Sequence, residues 1–333
     1  MTWKNRKVLV TGAGGFIGSH LAEALATRGA RVTALALYKP SDSHGWLDEL
    51  PPRTRAAMRL VRGDVRDPHQ MTDLIRGQET VFHLAALTTI PHSYEAPSSY
   101  VQTNIQGTVN VLAAARYADV ERIVHTSTSE VYGTARETPI TEDHPLQGQS
   151  PYSASKIGAD KMVESFVLSY GLPVVTIRPF NTYGPYQGER LVIGTIIRQA
   201  LDDRCDALRL GNLSTARDFN FISDTVEAFI KVAELGDEHV GKVFNAGSGR
   251  MTTIGEIVEL VRRITGCDKP VVQEAHRMRP ADSEVMVLMA DSARLREASG
   301  WTSKVSLEDG LAKTVDWWRG QLASVRPHTD YVM

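Results

Sequence analysis

Short apolar runs alternate with longer, helix-periodic segments through the first half of the chain. Val8-Leu9-Val10-Thr11 predicts a buried strand, and an amphipathic helix follows to about Arg28. Further apolar runs predict strands at 32–37, 60–65, 81–86, 123–126 and 174–181. Strands that alternate with helices indicate an α/β fold, a doubly wound parallel sheet with helices on both faces. Ligands of such sheets bind at the carboxyl ends of the strands.

The simple alternation ends near residue 181. Beyond it, a helix at 192–201 and a strand at 208–211 predict a smaller C-terminal α/β domain, which shares a cleft with the sheet. A helix near 224–235 and a strand at 242–245 are expected to return to the large domain. We therefore predict a dinucleotide-binding domain at 1–180, to which 220–250 return, and a substrate domain at 181–325.

A glycine-rich turn joins the first strand to the first helix. Gly12 allows a tight turn, Gly15 lets the backbone approach a diphosphate, and Gly18 lets the helix pack closely on the strand. Phe16 and Ile17 open the helix, whose free N–H groups and positive dipole end suit an anion. The context favours dinucleotide binding; the alternative is a glycine turn without a ligand.

The end of the second strand lacks the acidic residue that usually holds the ribose 2′-hydroxyl of NAD. Tyr38 and Lys39 stand there instead, so the cofactor is predicted to be NAD or NADP. Lys39 is equally explained as a solvated loop lysine.

Two more strand ends carry residues suited to a cofactor. Asp64, followed by Val65, could accept a hydrogen bond from an adenine amine or simply cap a turn. Leu84, Ala85 and Ala86 would let a cofactor lie against the backbone. His83, inside an apolar strand, is better explained as a core histidine than as a catalyst.

The most informative polar residues lie at the strand end 126–133 and in the helix after it. Tyr152 and Lys156 are one helical turn apart, so both side chains share a face. A nearby ammonium would lower the pKa of the tyrosine, which could then take a proton from an alcohol. A surface Tyr/Lys pair is the alternative, and the hydroxyl run of Thr128 and Ser129 before Glu130 could be a turn cluster.

Bulk properties exclude several classes. The 333 residues carry a formal net charge of −2, which gives no case for nucleic acid or an anionic membrane as partner. No apolar run is long enough to span a bilayer. Cys205 and Cys267 are too few and too isolated for a metal site or a disulfide framework. With no cleavable signal in the first residues, we expect a cytoplasmic protein.

Several motifs occur together in one order. They are the glycine turn, Ser127-Thr128-Ser129-Glu130-Val131-Tyr132-Gly133, Tyr152-x-x-x-Lys156, Arg178-Pro179-Phe180-Asn181-x-Tyr183-Gly184-Pro185 and Arg217-Asp218-Phe219. As a set they resemble the extended short-chain dehydrogenase/reductases that act on nucleotide sugars, the NAD-dependent epimerase/dehydratase family. The resemblance implies a Rossmann-type domain, a tightly bound NAD or NADP, a nucleotide-sugar substrate and a homodimer formed through a helix bundle.

Within that group, Thr128-Ser129-Glu130 resembles the 4,6-dehydratases, whereas 4-epimerases typically lack a carboxylate at the position of Glu130. The segments Leu37-Tyr38…Gly45-Trp46-Leu47 and Arg279-Pro280-x-x-Ser283-Glu284-Val285 are similar to dehydratases of nucleotide-linked N-acetylglucosamine in legionaminic-type pathways.

The resemblance also implies residue roles. Tyr152 takes the 4-hydroxyl proton, Thr128 shares the hydrogen bond to O4, Lys156 binds the nicotinamide ribose, and Glu130 removes the C5 proton. Ser129 stands where many glucose-nucleotide dehydratases have an aspartate, so the acid for the leaving hydroxyl is either Glu130 or Ser129 acting through water. The substrate is implied to contact a set of five residues, Thr88, Asn181, Arg190, Arg217 and Arg279.

Three rival functions stay open. A 4-epimerase and a UDP-glucuronate decarboxylase would form the same 4-ketone on the same fold. The decarboxylases also resemble this chain at 128–133, but they need an arginine aimed at C6. A non-catalytic cofactor-binding protein is the third, and it would be expected to lose Tyr152 or Lys156.

Overall fold

The apolar runs of the first half form strands and the periodic segments between them form helices, as predicted. The computed structural model describes residues 1–277 and 283–322. Its strands are β1 Lys7–Thr11, β2 Arg31–Leu37, β3 Arg59–Gly63, β4 Thr80–His83, β5 Arg122–Thr126, β6 Val174–Pro179, β7 Asn181–Tyr183, β8 Leu208–Leu210, β9 Ala216–Phe221, β10 Val243–Ala246, β11 Met251–Thr253, β12 Val271–Gln273 and β13 Val287–Leu288.

Helices follow most of these strands. They are α1 Phe16–Thr27, α2 Pro52–Ala56, α3 Pro68–Ile75, α4 Ile90–Glu95, α5 Pro97–Tyr100, α6 Gly107–Ala115, α7 Pro151–Tyr170, α8 Val192–Leu201, α9 Ile222–Ala233, α10 Ile254–Thr265, α11 Ala293–Ser299 and α12 Leu307–Gln321. A π-helical segment, Val101–Gln106, joins α5 to α6, and 3-10 turns lie at Gly45–Glu49, Ser129–Tyr132, Asp237–His239 and Ala275–Arg277.

The central sheet has seven strands in the order β3-β2-β1-β4-β5-β6-β10, and every pairing in it is parallel. The order reverses direction beside β1, where a doubly wound sheet opens a crevice for a ligand. The predicted parallel α/β sheet is thus confirmed. The strand β10 lies in this sheet, while the division into domains at residue 180 stays a prediction.

Side-chain alternation along the strands builds a core on each face. Val10 and Phe82 belong to the apolar cluster on the side of α1 and α9, whereas Leu9 and Val81 belong to the cluster on the side of α3, α6 and α7. Because neighbouring side chains of a strand point to opposite faces, a run of buried residues contributes side chains to the core on each face of the sheet. The sheet is covered on both faces and presents only its strand ends to a ligand.

The predicted strand 174–181 is interrupted at Phe180. The first part, β6, pairs with β5 and β10, whereas β7 leaves that sheet and pairs with β9, so that Asn181 lies beside Phe219. The strand β9 also pairs with β11 and β13, and β8 pairs with β12. Helices α8, α10 and α12 pack together next to these strands.

Within residues 1–277 and 283–322, none of the helices combines the length and the apolar character that crossing a membrane requires.

Candidate active site

The glycine turn has the geometry that a close backbone approach needs. Gly12 has a φ of +70°, and a Cβ there would lie 2.7 Å from the backbone nitrogen of Ala85. A Cβ at Gly18 would lie 2.2 Å from the carbonyl oxygen of Gly12, so α1 begins in contact with the turn. Gly15 is the N-cap of α1 and has no side chain to satisfy the first amides. These amides are left for an anion, which fits the diphosphate of a dinucleotide.

The 3-10 turn at 45–49 packs directly on this glycine turn. The Trp46 backbone N–H donates to the Gly14 carbonyl at 3.0 Å, and a Cβ at Gly45 would lie 2.3 Å from the same oxygen. The Trp46 ring stacks on Tyr186 with centroids 5.1 Å apart and meets Trp317 edge-on at 5.6 Å. These ring contacts could not be predicted from the sequence, because they join segments far apart in the chain.

Tyr38 and Lys39 follow β2 at the surface, and Tyr38 is 63 % exposed. The strand β3 ends at Gly63 rather than at residue 65 as predicted, so Asp64 directly follows it, and its carboxylate accepts from Arg66 Nε at 2.9 Å. Val65 is buried, and the Asn110 amide donates to its carbonyl at 3.0 Å. These residues line the edge of the sheet where the predicted adenosine end would lie, and their binding roles stay predictions.

The segment after β4 is held from both sides. Thr11 Oγ1 accepts from the backbone N–H groups of Leu84 and Ala85, each at 3.2 Å. The Asn104 side chain, in the π-helical segment, accepts from Leu87 N–H at 2.8 Å and donates to Ser155 Oγ at 2.9 Å. Asn104 therefore joins the loop that includes Ala86 and the exposed Thr88 to the helix of Tyr152. Sequence reasoning missed these two hydrogen bonds of Asn104. The only sign of them in the sequence was an amide side chain within an apolar helix.

His83 is a neutral core residue. Its Nδ1 lies 2.9 Å from Thr11 Oγ1 and its Nε2 lies 3.0 Å from Thr108 Oγ1. Burial lowers the pKa of His83 well below its ordinary value, so the ring is uncharged at neutral pH. The predicted core role is confirmed.

The candidate catalytic groups meet at the carboxyl end of β5. Ser150 caps α7 by accepting from Ser153 N–H at 3.1 Å, which starts the helix one residue before Tyr152. Thr128 lies in the turn beyond β5, where its hydroxyl accepts from Glu130 N–H at 3.3 Å and hydrogen-bonds the Tyr152 phenol. Ser129 is buried in the same turn.

The electrostatics of Tyr152 differ from the prediction. Burial raises the pKa of the phenol, the hydrogen bond from Thr128 opposes that increase, and the Glu130 charge adds to it. The predicted lowering by Lys156 is not found here. The Lys156 ammonium donates to the Thr126 carbonyl at 2.7 Å, and burial lowers the pKa of Lys156 to about 8. Desolvation therefore outweighs the attraction that the i, i+4 spacing suggests.

Four of the five predicted substrate residues lie within the part of the chain that the structure describes. Asn181 begins β7, and its Oδ1 is a buried acceptor without a hydrogen-bond partner among the described residues. Arg190 is exposed, and its charge acts on Tyr100, whose ring meets that of Tyr152 at 6.3 Å. Arg217 is buried and donates to the carbonyls of Ala216 and Met286, with Glu284 3.6 Å away. Arg279 lies outside the described residues.

The site thus combines an anion-binding turn at one strand end with a phenol, a hydroxyl and a carboxylate at another. The free amides at the uncapped start of α1 suit a ligand that carries a diphosphate, whereas the unpartnered Asn181 Oδ1 is an acceptor and suits a hydrogen-bond donor of the ligand. Such a set can exchange a proton with a sugar hydroxyl beside a bound nicotinamide.

Comparisons with known proteins agree with this site. The model of the GDP-mannose 4,6 dehydratase family matches residues 9–314. The UDP-glucose 4-epimerase of Mycolicibacterium smegmatis is 34 % identical over 95 % of this chain and 99 % of its own. The dTDP-glucose 4,6-dehydratase of Xanthomonas campestris pv. campestris is 32 % identical over 93 % of this chain and 92 % of its own.

A solved structure of a nucleotide-sugar dehydratase is also similar to this chain. The DesIV double mutant, a dTDP-glucose 4,6-dehydratase from Streptomyces venezuelae with NAD bound, is similar with a TM-score of 0.84 and 30 % identity, over 96 % of this chain and 98 % of its own. Epimerases and dehydratases are thus both similar to this chain over nearly its whole length, and the family model that matches it is that of GDP-mannose 4,6 dehydratase. The chain belongs to the GDP-mannose 4,6 dehydratase family, within the extended short-chain dehydrogenase/reductases of the NAD-dependent epimerase/dehydratase type.

Proposed function

We propose that the protein is a nucleotide-sugar 4,6-dehydratase that forms a 4-keto-6-deoxy sugar nucleotide, with an N-acetylglucosamine nucleotide as substrate. The observation that carries the reaction is the position of Glu130. Its charge acts on the Tyr152 phenol, and its backbone N–H donates to Thr128. A carboxylate beside the phenol supplies a base for a carbon acid, which a 4-epimerase does not need.

Each candidate residue has its own role in the proposed dehydration. The Tyr152 phenolate takes the proton from the 4-hydroxyl while Thr128 holds O4. When bound, a nicotinamide would supply the hydride acceptor at C4 and the hydride donor at C6. The new 4-ketone acidifies the C5 proton, which Glu130 removes as the 6-hydroxyl leaves as water. Glu130, or Ser129 through water, gives the leaving oxygen its proton; C5 takes up a proton from solvent as the hydride reaches C6, and the proton that Tyr152 took from the 4-hydroxyl returns to solvent.

The resident cofactor is proposed to be NAD or NADP. The turn at Gly12, the strand end at Gly63 and the segment after His83 would hold it, since their backbone groups meet at the crevice of the sheet. Extraction of the purified protein, followed by separate assays for the two dinucleotides, identifies which one is retained.

The N-acetylglucosamine assignment rests on the resemblance of the segments 37–47 and 279–285, of which 279–282 lie outside the described residues. The test incubates the purified protein with UDP-N-acetylglucosamine and, in parallel, with GDP and dTDP sugars and with UDP-glucuronate, without added cofactor. A product lighter by one water supports the dehydratase and names its substrate. An unchanged mass with inverted C4 supports the 4-epimerase, which the Mycolicibacterium relative keeps open. Loss of carbon dioxide from UDP-glucuronate would indicate the decarboxylase.

A Glu130→Gln variant distinguishes oxidation at C4 from the later removal of the C5 proton. It keeps the neighbouring Tyr152 and Thr128, so it should still reduce the bound cofactor when substrate is added, but release little dehydrated product. Thr128→Val with Glu130 intact is the matched control, because it weakens the first step instead. Full dehydration by Glu130→Gln would exclude Glu130 as the C5 base.

We also propose a cytoplasmic homodimer. Val101, Tyr117, Leu168 and Tyr170 expose large apolar side chains around α6 and α7, with Tyr117 and Leu168 both 80 % exposed. Such a face is typical of an interaction surface. Light scattering should give twice the chain mass for the natural protein and a monomer for Leu168→Glu. A natural protein that is monomeric would contradict the dimer.

A further inference from the structure

A buried carboxylate lies behind the catalytic pair. Asp160 follows Lys156 by four residues on α7 and is 8 % exposed. Its Oδ1 lies 3.1 Å from His125 Nε2, and its Oδ2 accepts from Ser127 Oγ at 2.8 Å and from Arg178 at 2.9 Å. Both oxygens are therefore engaged by groups of β5, the residue after it, and β6.

Lys156 is a buried cation in need of a counter-charge. It is 4 % exposed, and its ammonium donates to the Thr126 carbonyl at 2.7 Å. Among the described residues it forms no ion pair, and a carbonyl supplies only a partial charge. Taking an ammonium out of water is costly unless an opposite charge is near. The charge of Asp160 reaches Lys156 and opposes the loss of its proton on burial.

The other titratable groups around the cluster do not supply that charge. His83 on β4 and His125 on β5 have pKa values lowered by burial, so both rings are neutral near pH 7. Tyr132 accepts from Arg178 at 3.0 Å and is un-ionised, since burial raises its pKa. The Glu130 charge acts on Tyr152, whereas the charge that acts on Lys156 is that of Asp160. Arg178 is the second cation, bound directly to Asp160.

Sequence-distant strands hold this carboxylate in place. Burial alone would raise the pKa of Asp160, but the hydrogen bond from His125 and the charges of Arg178 and Lys156 outweigh it and lower the pKa to about 2. Asp160 is thus ionised throughout the working pH range and cannot rotate away without leaving Arg178 unpaired.

We propose that Asp160 is a positioning residue for the reaction: its carboxylate, fixed by His125, Ser127 and Arg178, is the buried negative charge that keeps Lys156 protonated. This inference rests on the proposed function, for which Lys156 is predicted to bind the nicotinamide ribose. It predicts that the proton on Lys156 depends on Asp160 rather than on Tyr152.

The direct test follows the Lys156 side chain by NMR. Protein labelled with ¹³C at the lysine side chains is titrated with its cofactor bound, and Lys156→Arg assigns the Lys156 signal. Asp160→Asn should lower the titration midpoint of Lys156 by about 1 to 3 pH units, the effect of losing one opposite charge at short range. Ser127→Ala is the matched control: it removes one hydrogen bond to Asp160 but keeps the charge, so the midpoint should not move.

Asp160→Asn leaves the buried Arg178 charge without its counter-charge, which destabilises the fold. The double variant Asp160→Asn/Arg178→Gln removes both charges and should show the same lowered midpoint. In both variants, the alkaline limb of the turnover profile should move to lower pH by the same amount. An unchanged midpoint in the variants without Asp160, or an equal decrease in Ser127→Ala, would overturn the proposal. The titration needs no substrate, so it stays informative even if the dehydratase assay fails.

Discussion

Replacing Gly12 with alanine tests the cofactor site most sharply. The φ of +70° costs an alanine about 1–2 kcal/mol, as for any left-handed residue with a Cβ. The new Cβ would also lie 2.7 Å from Ala85 N, at least 0.7 Å inside the ordinary contact distance of 3.4 Å. The Ala85 nitrogen is a backbone atom, and the new Cβ is bonded directly to the backbone of residue 12. Neither can turn aside as a flexible side chain would, so the glycine turn and the segment after β4 must separate.

The two segments that must separate are the ones that the proposed cofactor would contact. A shift of about 0.7 Å takes an N–H···O bond of normal length beyond hydrogen-bonding range. Losing one bond to a charged acceptor costs about 1.5–3 kcal/mol. We therefore expect Gly12→Ala to bind NAD or NADP roughly 10- to 150-fold more weakly. Calorimetric titration of the protein, stripped of its cofactor, measures this directly.

Gly77→Ala is the matched control. Gly77 has a φ of +75°, and a Cβ there would meet no described atom within 4 Å. It carries the same conformational cost without the collision. At about 2.1 cal/mol/K of unfolding entropy per residue, that cost lowers the Tm by roughly 1–3 °C and leaves cofactor affinity unchanged. Equal cofactor affinities in the two variants would refute the assignment of the turn.

Three further predictions concern chemistry, packing and pH. Tyr152→Phe should lower turnover by about 10²- to 10⁴-fold with the melting temperature nearly unchanged; full turnover would exclude the phenol as the acid–base group. Trp46→Ala loses two ring pairs worth about 0.5–1.5 kcal/mol each, so thermal melts should show a decrease that Tyr38→Ala, at an exposed site, does not share. The depressed pKa of Asp160, about 2, contributes roughly 2 kcal/mol of stability above pH 4, which is lost as the pH falls toward 2. Urea unfolding should therefore show a smaller loss over that range in Asp160→Asn/Arg178→Gln, and an equal loss would contradict it.

Local pattern alone was enough for the order and type of most elements. The helix predicted at 192–201 is found at Val192–Leu201, and the strand predicted at 123–126 is found within Arg122–Thr126. Helical and strand periodicity are properties of neighbouring residues, which is why they survive in the folded chain. The glycine turn and the Tyr152–Lys156 spacing were likewise legible, because both are local motifs, and with them the family.

Contacts between distant segments were decided only by the fold. The sequence could not show that β7 leaves the central sheet for β9, or that Trp46 meets Tyr186 and Trp317. It placed Lys156 near Tyr152 but gave no measure of burial, so it predicted a lowered tyrosine pKa where desolvation raises it.

The sequence also gave no measure of burial for Asp160, which is one acidic residue of a helix in the sequence. Only the fold shows that residues of β5 and β6 contact its carboxylate. The sequence by itself determined which residues are candidates for the chemistry and on which elements they stand. The tertiary structure decided their charges and partners, because desolvation and hydrogen bonding depend on what the rest of the chain brings into contact with them.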